Sequence, residues 1–567
     1  MIMVHRNWKL YTCLGLLFLG LTLYKPISTY GLTWLGTLAQ QVSPNPLHAL
    51  KLQPSLPQDA DVQVYFNHSP AAAYTEPYRQ IARYGDDLEQ VIVEGINAAQ
   101  VSVDMAVQEL RLPKIAQALV EKHRTGVRVR VVLENTYSRP WSDFTPAEIE
   151  KLPARERGKY QEFVRLVDRN HDGQLSSEEI NQGDALVMLR NEGIPIIDDR
   201  EDGSKGSGLM HHKFLVIDGK TLITASANFT TSDVHGDFAR AASRGNTNNL
   251  VKINSPELAQ LFTQEFNFMW GDGVGGKLDS LFGTKKPLRS AKTLQIGNNT
   301  LTVQFSPSSR NTPWQQSSNG LINQNLAQAR QSINLALFVF SDQTLANTLQ
   351  TNHQQGVQIQ VLIDSQFIYR PYSEGLDLLG VALADNQCRY EAGNNPWQQA
   401  IASVGVPNLS PGDVLHHKFG LIDDQLVITG SHNWSEAANS SNDETLLVVQ
   451  NSVVATHFRR EFDRLYTGAS LGFPVSIQNQ IQQDPKRCPQ AATRPVVPNR
   501  PQGSQGLVNL NTASQKELEA LPGVGAKLAQ QIILARQRKP FSSWEEVEKV
   551  PGAGASLKQK LVGKVAW

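Results

Sequence analysis

The strongest constraint on the fold is a repeat in the middle of the chain. The segment VQVYFNHS at residues 62–69 is similar to LTVQFSPSS at residues 301–309, and a helix-like segment follows each. Next come ALVEKHRTGVRVRVVLE and TLQTNHQQGVQIQVLID, in which an amphipathic helix ends near a glycine and a β-branched strand follows. This order of elements is typical of βαβ units. The repeat predicts two similar α/β halves, residues 60–285 and 286–473.

The composition supports folded domains and excludes several classes of protein. Of the 567 residues, 40% are hydrophobic, which excludes a mostly disordered chain. Lys and Arg total 53, as do Asp and Glu, so any affinity for a polyanion must be local. Three cysteines exclude a disulfide scaffold and a four-cysteine zinc ribbon. The sequence leaves open whether Cys388 and Cys488 pair or stay free thiols.

An apolar run lies near the N-terminus. Residues 10–24 are mostly apolar, and Arg6, Lys9 and Lys25 flank them. The run is shorter than the roughly 20 residues that span a bilayer, which favours a signal peptide. An uncleaved, tilted anchor is the alternative. We therefore predict that residues 1–40 direct export to the periplasm, the cell envelope or the exterior, and that an uncleaved segment would attach the protein to a membrane.

A third repeated block carries the residues with the clearest chemistry. In each half the pattern is His-x-Lys-x4-Asp, followed by a small residue, Ser, x and Asn. The two sets are His211, Lys213, Asp218, Ser226 and Asn228, and His416, Lys418, Asp423, Ser431 and Asn433. Side chains at i and i+2 of a strand point the same way, so His, Lys, Ser and Asn are expected to meet at one end of two strands. We hypothesise that the two sets form a phosphate clamp, in which one imidazole attacks phosphorus and the other protonates the leaving oxygen.

This pattern resembles the phospholipase D superfamily across both halves. The resemblance implies a bilobed α/β/α sandwich with one active site between the halves, and hydrolysis through a phosphohistidine. It implies His211 as the nucleophile and His416 as the general acid. The residues that would hold the phosphoryl group are Lys213, Lys418, Asn228 and Asn433, whereas Asp218 and Asp423 belong to the motif but are often structural. No cofactor is expected at this site, and no oligomer is required because one chain carries both motifs.

The two halves differ after their motifs. NDETLLV places Glu444 where the superfamily has a carboxylate that orients a histidine, whereas the first half has Asn248 at that position. A neutral amide stabilises an imidazolium less well than a carboxylate does, so we expect the halves to be non-equivalent. The sequence leaves open which histidine this difference favours as nucleophile. By strand parity, His212 and His417 are expected to face away from the site.

The first half also contains an insertion at about residues 144–193, with an EF-hand-like part at about 155–190. Its motif DRNHDGQLSSEE resembles an EF-hand calcium loop. The ligand positions are Asp168, Asn170, Asp172, the carbonyl of Gln174, Ser176 and Glu179. We predict a structural Ca²⁺ there, with an acidic turn between helices as the alternative. The following VMLRNEGIPII is predicted to form a short strand.

The end of the chain has a different character. The Pro-rich segment 474–506 predicts an extended linker, and residues 507–567 predict a compact all-α domain. LPGVG and PGAG resemble the hairpins of the helix-hairpin-helix domain of competence DNA receptors. Glycines let backbone N–H groups approach a phosphate, so the expected DNA contacts are Gly523, Val524, Gly525, Lys527, Gly552 and Gly554. Nine Lys and Arg against five Glu suit sequence-independent binding, and a protein–protein module is the alternative.

These features predict an exported phosphodiesterase whose substrate is DNA. The alternative is a phospholipase D that hydrolyses phosphatidylcholine-type lipids, which the N-terminal apolar run favours. A DNA receptor with a decayed site is disfavoured because both motifs are intact. The catalytic residues alone leave open the choice between DNA and lipid, the strand preference, and endo- or exo-cleavage.

Overall fold

The structure is a computed structural model of the chain. It describes residues 52–488 except 205, 207 and 310, and residues 508–566 except 512, 514, 520, 540, 542 and 562–564. The predicted signal or anchor at residues 1–40 lies outside the described residues, and so does most of the predicted linker. No helix in the described ranges is long and apolar enough to cross a membrane.

The first half is built on a seven-stranded mixed sheet. Its strands are β1 (Val62–Phe66), β2 (Ala73–Thr75), β3 (Ala82–Tyr84), β4 (Ser102–Val107), β5 (Arg128–Leu133), β6 (Ile196–Asp198), β7 (Lys213–Ile217), β8 (Thr221–Ala225) and β9 (Asn249–Asn254). Its helices are α1 (Leu88–Ala98), α2 (Pro113–Arg124), α3 (Pro146–Lys151), α4 (Ala154–Val167), α5 (Ser177–Gly183), α6 (Ala185–Asn191), α7 (Thr231–Val234) and α8 (Pro256–Trp270). The strand order is β1-β9-β8-β7-β4-β5-β6, with β4, β5 and β6 parallel.

The second half repeats this arrangement. Its strands are β10 (Lys292–Ile296), β11 (Asn299–Ser306), β12 (Ser332–Leu337), β13 (Phe340–Ser341), β14 (Gln358–Ile363), β15 (Val404–Val406), β16 (Lys418–Ile422), β17 (Leu426–Gly430), β18 (Trp434–Ser435), β19 (Glu444–Gln450) and β20 (Ser470–Leu471). Its helices are α9 (Ser318–Leu326), α10 (Gln343–Gln354), α11 (Glu374–Leu378), α12 (Glu436–Ser440), α13 (Ser452–Tyr466) and α14 (Val475–Arg487). The order β11-β19-β17-β16-β12-β14-β15 matches the first sheet strand for strand, and β10 and β20 extend it to nine.

The crossover helices end where the sequence predicts. Gly126 follows α2 with φ +88° and Gly356 follows α10 with φ +91°. This left-handed conformation favours glycine, and it turns the chain back into β5 and β14. The neighbouring strand β4 is buried at all of its positions, as a central strand covered on both faces must be. The duplicated α/β/α sandwich predicted from the sequence is therefore confirmed.

The largest hydrophobic cluster lies between the two halves. It joins α8 and α13 to residues of both sheets. Aromatic rings cross the boundary: Phe66 meets Phe458 with centroids 5.1 Å apart, and Phe262 meets Phe305 at 4.9 Å. Such edge-to-face pairs stabilise packing by about 0.5–1.5 kcal/mol beyond their buried area. Two further clusters join each sheet to its own crossover helices.

Two predictions of local structure are wrong. Residues 185–191 form α6 instead of a strand, because the Asp184 carboxylate caps that helix by accepting from the Leu186 and Val187 amides at 3.1 and 3.4 Å. Only the end of the predicted strand is extended, as β6. The linker also begins later than predicted. Residues 475–487 form α14, whose Asp484 accepts from the Ala384 amide at 3.0 Å.

A disulfide fixes the end of α14 to the second half. It joins Cys388 to Cys488, whose Cα atoms are 5.3 Å apart, and so decides the question that the sequence left open. The second half therefore extends to residue 488.

The C-terminal domain contains four helices around a small core. These are α15 (Gln515–Glu519), α16 (Ala526–Arg538), α17 (Trp544–Val547) and α18 (Ala555–Leu561), and β21 (Val508–Asn509) pairs with β22 (Val565–Ala566). The core is apolar and includes Leu518, Ile532 and Phe541. The hairpins turn at Gly523 and Gly552, where φ is +92° and +93°. The predicted domain is thus mainly helical.

Candidate active site

The two His-x-Lys motifs meet because each is held by the opposite half of the chain. Met210 forms a parallel bridge with Asp443, and Leu415 forms one with Thr247. The amide of His211 donates to the Asp443 carbonyl at 3.0 Å, and the amide of Thr247 donates to the Val414 carbonyl at 3.0 Å. The residues before β7 therefore lie beside the start of β19, and those before β16 lie beside the start of β9.

His211 is oriented by a carboxylate from the second half. Its Nδ1 lies 2.7 Å from Oε2 of Glu444, and the Ser431 hydroxyl donates to the same oxygen at 2.7 Å. Because a carboxylate only accepts, this contact places the ring hydrogen on Nδ1 and leaves the Nε2 lone pair free for the substrate. Burial raises the pKa of Glu444, which its hydrogen bonds partly oppose.

His416 is oriented by an amide from the first half. Its Nδ1 lies 2.9 Å from Oδ1 of Asn248, which also accepts from the Ser226 hydroxyl at 2.7 Å. The amide nitrogen of Asn248 donates to the Asp233 carbonyl at 2.9 Å. The Asp233 carboxylate itself lies 3.9 Å from Nδ1 of His416. The expected non-equivalence is present, but a negative charge does stand near this histidine, at a longer distance.

The two motif lysines are buried in the same centre. Lys213 Nζ donates to the His211 carbonyl at 2.7 Å and to Gln108 Oε1 at 3.2 Å, and Lys418 Nζ donates to the His416 carbonyl at 2.6 Å. Burial lowers the pKa of Lys213 to about 8. Burial together with repulsion from Lys213 lowers the pKa of Lys418 to about 7. Two buried cations at this distance favour an anion such as a phosphodiester between them.

The same electrostatics act on the histidines. Burial and the nearby charges of Lys213 and Lys418 hold the pKa of both His211 and His416 well below the ordinary value. Both rings are therefore neutral at pH 7 before an anion binds. The negative charge of a phosphodiester would raise the pKa of each ring and favour its protonated form.

The motif asparagines border the centre and are half-buried. Within the part of the chain that the structure describes, Oδ1 of Asn228 and Oδ1 of Asn433 have no hydrogen-bond partner. Their amide groups are thus available to a ligand in the cleft. The backbone of Asn228 is fixed separately, since its amide donates to Asp233 at 2.9 Å.

The structure places Asp218 and Asp423 away from the site. The Asp218 carboxylate accepts from three consecutive amides, those of Gln100, Val101 and Ser102, at 2.7 to 3.1 Å. Asp423 does the same with the amides of Arg330, Gln331 and Ser332. Each aspartate lies at the far end of a five-residue strand from its lysine, about 15 Å away at 3.3 Å per residue. Including them among the catalytic residues is corrected, and both act as structural caps.

The motif serines also need a correction. Ser226 and Ser431 were expected to donate to the phosphate, but their hydroxyls donate to Asn248 and Glu444. Each serine also accepts a strand amide, from Asn249 and Thr445 respectively, at 3.0 and 2.9 Å. With all their hydrogen bonds used inside the protein, they position the groups that orient the histidines.

The second histidine of each motif faces away from the site, as strand parity predicts. His212 Nδ1 lies 2.9 Å from the Thr445 hydroxyl, and its Nε2 lies 3.5 Å from Glu265 on α8. His417 Nε2 lies 2.9 Å from Glu461 on α13. The sequence analysis missed both glutamates. The signal was present, because QEF in α8 and REF in α13 occupy matching positions of the repeat.

The C-terminal residues predicted to bind DNA divide into two groups. Gly523, Gly525, Lys527, Gly552 and Gly554 are exposed on the two hairpins. The Val524 side chain is instead part of the domain core, and its amide donates to the Leu521 carbonyl at 3.0 Å. Val524 is therefore removed from the predicted contacts.

Comparison with known proteins supports the site. The family model described as "Cardiolipin synthase, PLD-like domain" matches residues 92–270 and 322–466, more than half of the chain. A helix-hairpin-helix motif model matches residues 503–566. Mitochondrial cardiolipin hydrolase from Xenopus laevis is 28% identical over 155 residues, which are 27% of this chain and 64% of that protein. Phospholipase D from Rickettsia typhi is 27% identical over 135 residues, which are 24% and 56%.

The chain thus spans less than two thirds of the length of these relatives. Among solved structures, Nuc from Salmonella typhimurium, a phospholipase D family member, aligns with 21% identity and a TM-score of 0.22, over 38% of this chain and 95% of that one. The family match covers both halves and both His-x-Lys motifs. The chain therefore belongs to the phospholipase D superfamily and is a phosphodiester hydrolase.

Proposed function

We propose that this phosphodiesterase cleaves DNA through a covalent intermediate on His211. Attack by Nε2 places positive charge on the His211 ring, and the Glu444 carboxylate 2.7 Å from Nδ1 stabilises that charge. His416 has a neutral amide at the equivalent place, so its protonated form is less stabilised and it gives up a proton more readily. This difference supports His211 as the nucleophile and His416 as the general acid.

The steps balance with these two rings alone. Nε2 of His211 forms a bond to phosphorus while the bond from phosphorus to the leaving oxygen breaks, and that oxygen takes the proton from Nε2 of His416. Water then attacks phosphorus and gives a proton to His416, and the N–P bond breaks to restore His211. The ammonium groups of Lys213 and Lys418 and the amides of Asn228 and Asn433 hold the phosphoryl oxygens.

The helix-hairpin-helix domain is the observation that carries the choice of DNA. Helix α16 has 13 residues and begins after Gly525 without a side-chain cap. The first amides of such a helix have no intrahelical partner, and the helix dipole favours an anion there. Lys527 is exposed in this first turn. These features suit contact with a nucleic-acid phosphate at any sequence.

Hydrolysis of a phospholipid is the second candidate. The curated relatives are named cardiolipin hydrolase and phospholipase D, and residues 10–24 form an apolar run. The clamp of two histidines and two lysines suits any phosphodiester, so the active-site residues do not distinguish the two substrates.

The direct test compares substrates with the full-length protein. Plasmid DNA, single-stranded DNA, and vesicles of cardiolipin or phosphatidylcholine are offered at equal phosphodiester concentration. We expect the highest kcat/KM on DNA. A much higher kcat/KM on either vesicle would replace the nuclease proposal with the lipid one.

A paired variant tests the role of the C-terminal domain. A Cβ added at Gly525 meets no atom within 4 Å, so Gly525→Ala with Lys527→Gln should fold but obstruct phosphate contact. We expect weaker binding to long DNA, a smaller salt dependence by about 0.9 in slope per lost phosphate contact, and unchanged cleavage of a small chromogenic diester. Gly158→Ala with Lys151→Gln is the matched control. Equal DNA affinity of both variants would contradict this role.

A further inference from the structure

The insertion of the first half contains a loop whose chemistry the phosphodiester site does not use. Helix α4 leads into the loop and α5 leaves it. His171 and Gly173 have φ of +59° and +80°, which closes the turn. Inside it, Asp168 Oδ2 accepts from the Gly173 amide at 2.9 Å, and Asp172 Oδ1 accepts from the Gln174 amide at 2.8 Å.

One carboxylate oxygen in this loop is buried and unsatisfied. Asp168 is only 7% exposed, and among the described residues its Oδ1 has no hydrogen-bond partner and the side chain has no ion pair with Lys or Arg. Since Oδ2 is held by the Gly173 amide, the carboxylate points into the loop. An unpaired buried charge is costly, so this oxygen calls for a cation.

We propose that the loop binds one calcium ion and that the bound ion stabilises one side of the active-site cleft. The ligands are all oxygens, as calcium prefers, and they come from Asp168, Asn170, Asp172, the Gln174 carbonyl and Glu179, with Ser176 acting through water. The acceptor oxygens of this set crowd a single short turn that contains no Lys side chain.

Binding requires one side chain to move. Glu179 now accepts from the Ser176 amide and hydroxyl at 3.0 and 2.7 Å and from the Arg169 amide at 2.9 Å. Across the described residues, no three His, Cys, Asp or Glu side chains are already grouped as a metal site. Calcium therefore exchanges the hydrogen bonds of Glu179 for coordination, and this change is transmitted to α5.

Helix α4 connects the loop to the cleft. Lys159 Nζ lies 3.2 Å from Oε2 of Glu109, the residue after Gln108, which contacts Lys213. Glu162 on the same helix accepts from the amides of Phe238 and Ala239, in the segment that leads to Asn248. A cation at the end of α4 thus fixes both contacts of this helix with the active-site walls.

Direct binding is the first test, made on the full-length protein by titration calorimetry with Ca²⁺ and with Mg²⁺. We expect one saturable calcium site, and a folded-to-unfolded ratio that rises about 100-fold when free calcium is 100 times its dissociation constant. Asp168→Asn with Glu179→Gln should abolish the calcium heat, whereas the exposed neighbour Glu178→Gln should keep it. Absence of saturable binding in the unmodified protein, or equal binding in the double variant, would overturn the site.

The second test concerns the connection to the cleft. With a small chromogenic diester, calcium should lower KM severalfold in the unmodified protein. Lys159→Met removes the contact with Glu109, so it should bind calcium with unchanged heat but lose most of the effect on KM. If calcium binds and KM does not change, or if Lys159→Met responds like the unmodified protein, the transmission through α4 is contradicted.

Discussion

Nδ1 of His211, in the first half of the chain, lies 2.7 Å from Oε2 of Glu444, in the second half. The reciprocal pair is His416 of the second half with Asn248 of the first, 2.9 Å apart. Each half therefore supplies the group that orients the other half's histidine. Neither half alone contains an oriented imidazole, which explains why the catalytic unit is the duplicated chain.

Glu444→Gln should lower kcat sharply while the protein stays folded. The amide keeps the size of the side chain but removes the charge that stabilises the His211 ring during attack, and comparable changes elsewhere cost about 10⁴-fold. We expect a loss of roughly 10³-fold or more in kcat on a small diester, with little change in KM. Stopped-assay kinetics together with thermal unfolding separate this effect from misfolding.

Asn248→Asp is the reciprocal variant. A carboxylate beside Nδ1 of His416 favours the imidazolium, so the pKa of this general acid should rise and the alkaline limb of the kcat/KM profile should move to higher pH by about 1–2 units. If neither substitution changes the profile or the rate, the two contacts do not orient catalytic groups.

The sequence predicts the duplicated sandwich well because its signals are local. Alternation in β5 and β14, and a glycine after α2 and α10, each depend on neighbours within one turn or strand. The roles of Ser226 and Ser431 were wrong because their partners come from strands more than ten residues away. No spacing rule indicates that Asp233 approaches His416, since that contact crosses between the halves.

Asp218→Asn should reduce stability and leave the chemistry intact. Although burial raises it, the amide hydrogen bonds from Ser102, Gln100 and Val101 lower the pKa of Asp218 overall, so the charged form is preferred. Asn tolerates the left-handed backbone at this position, where φ is +53°, so the substitution mainly removes charge. We expect a loss of about 1–2 kcal/mol in urea unfolding, with kcat within twofold of the unmodified enzyme. A large loss of kcat in fully folded protein would return Asp218 to the catalytic residues.

Glu374→Gln should stabilise the second half at neutral and alkaline pH. Burial and the neighbouring carboxyls of Asp377, Glu391 and Asp342 raise the pKa of Glu374 to about 10, while it ionises in the unfolded chain near its ordinary value. The unfolded state therefore releases this proton first, and the stability of the unmodified protein falls as pH rises from about 5 towards 10. The glutamine cannot ionise, so its stability should fall less over that range.

Urea unfolding at pH 5, 7 and 9 measures this difference, with the exposed Glu150→Gln as the control. Parallel stability curves for Glu374→Gln and the unmodified protein would mean that Glu374 is ionised in the native state.

The central claim is that His211 carries the phosphoryl group and that His416 supplies the proton. Because the two act in sequence, His211→Ala and His416→Ala should each abolish turnover. With a diester whose leaving group needs no protonation, His416→Ala should still form the intermediate and fail to release it. Intact-protein mass spectrometry after acid-free quenching should then find the added phosphoryl mass on His416→Ala, located at His211, and none on His211→Ala. A label on His416 in the His211→Ala protein, or near-normal activity of either variant, would contradict this account.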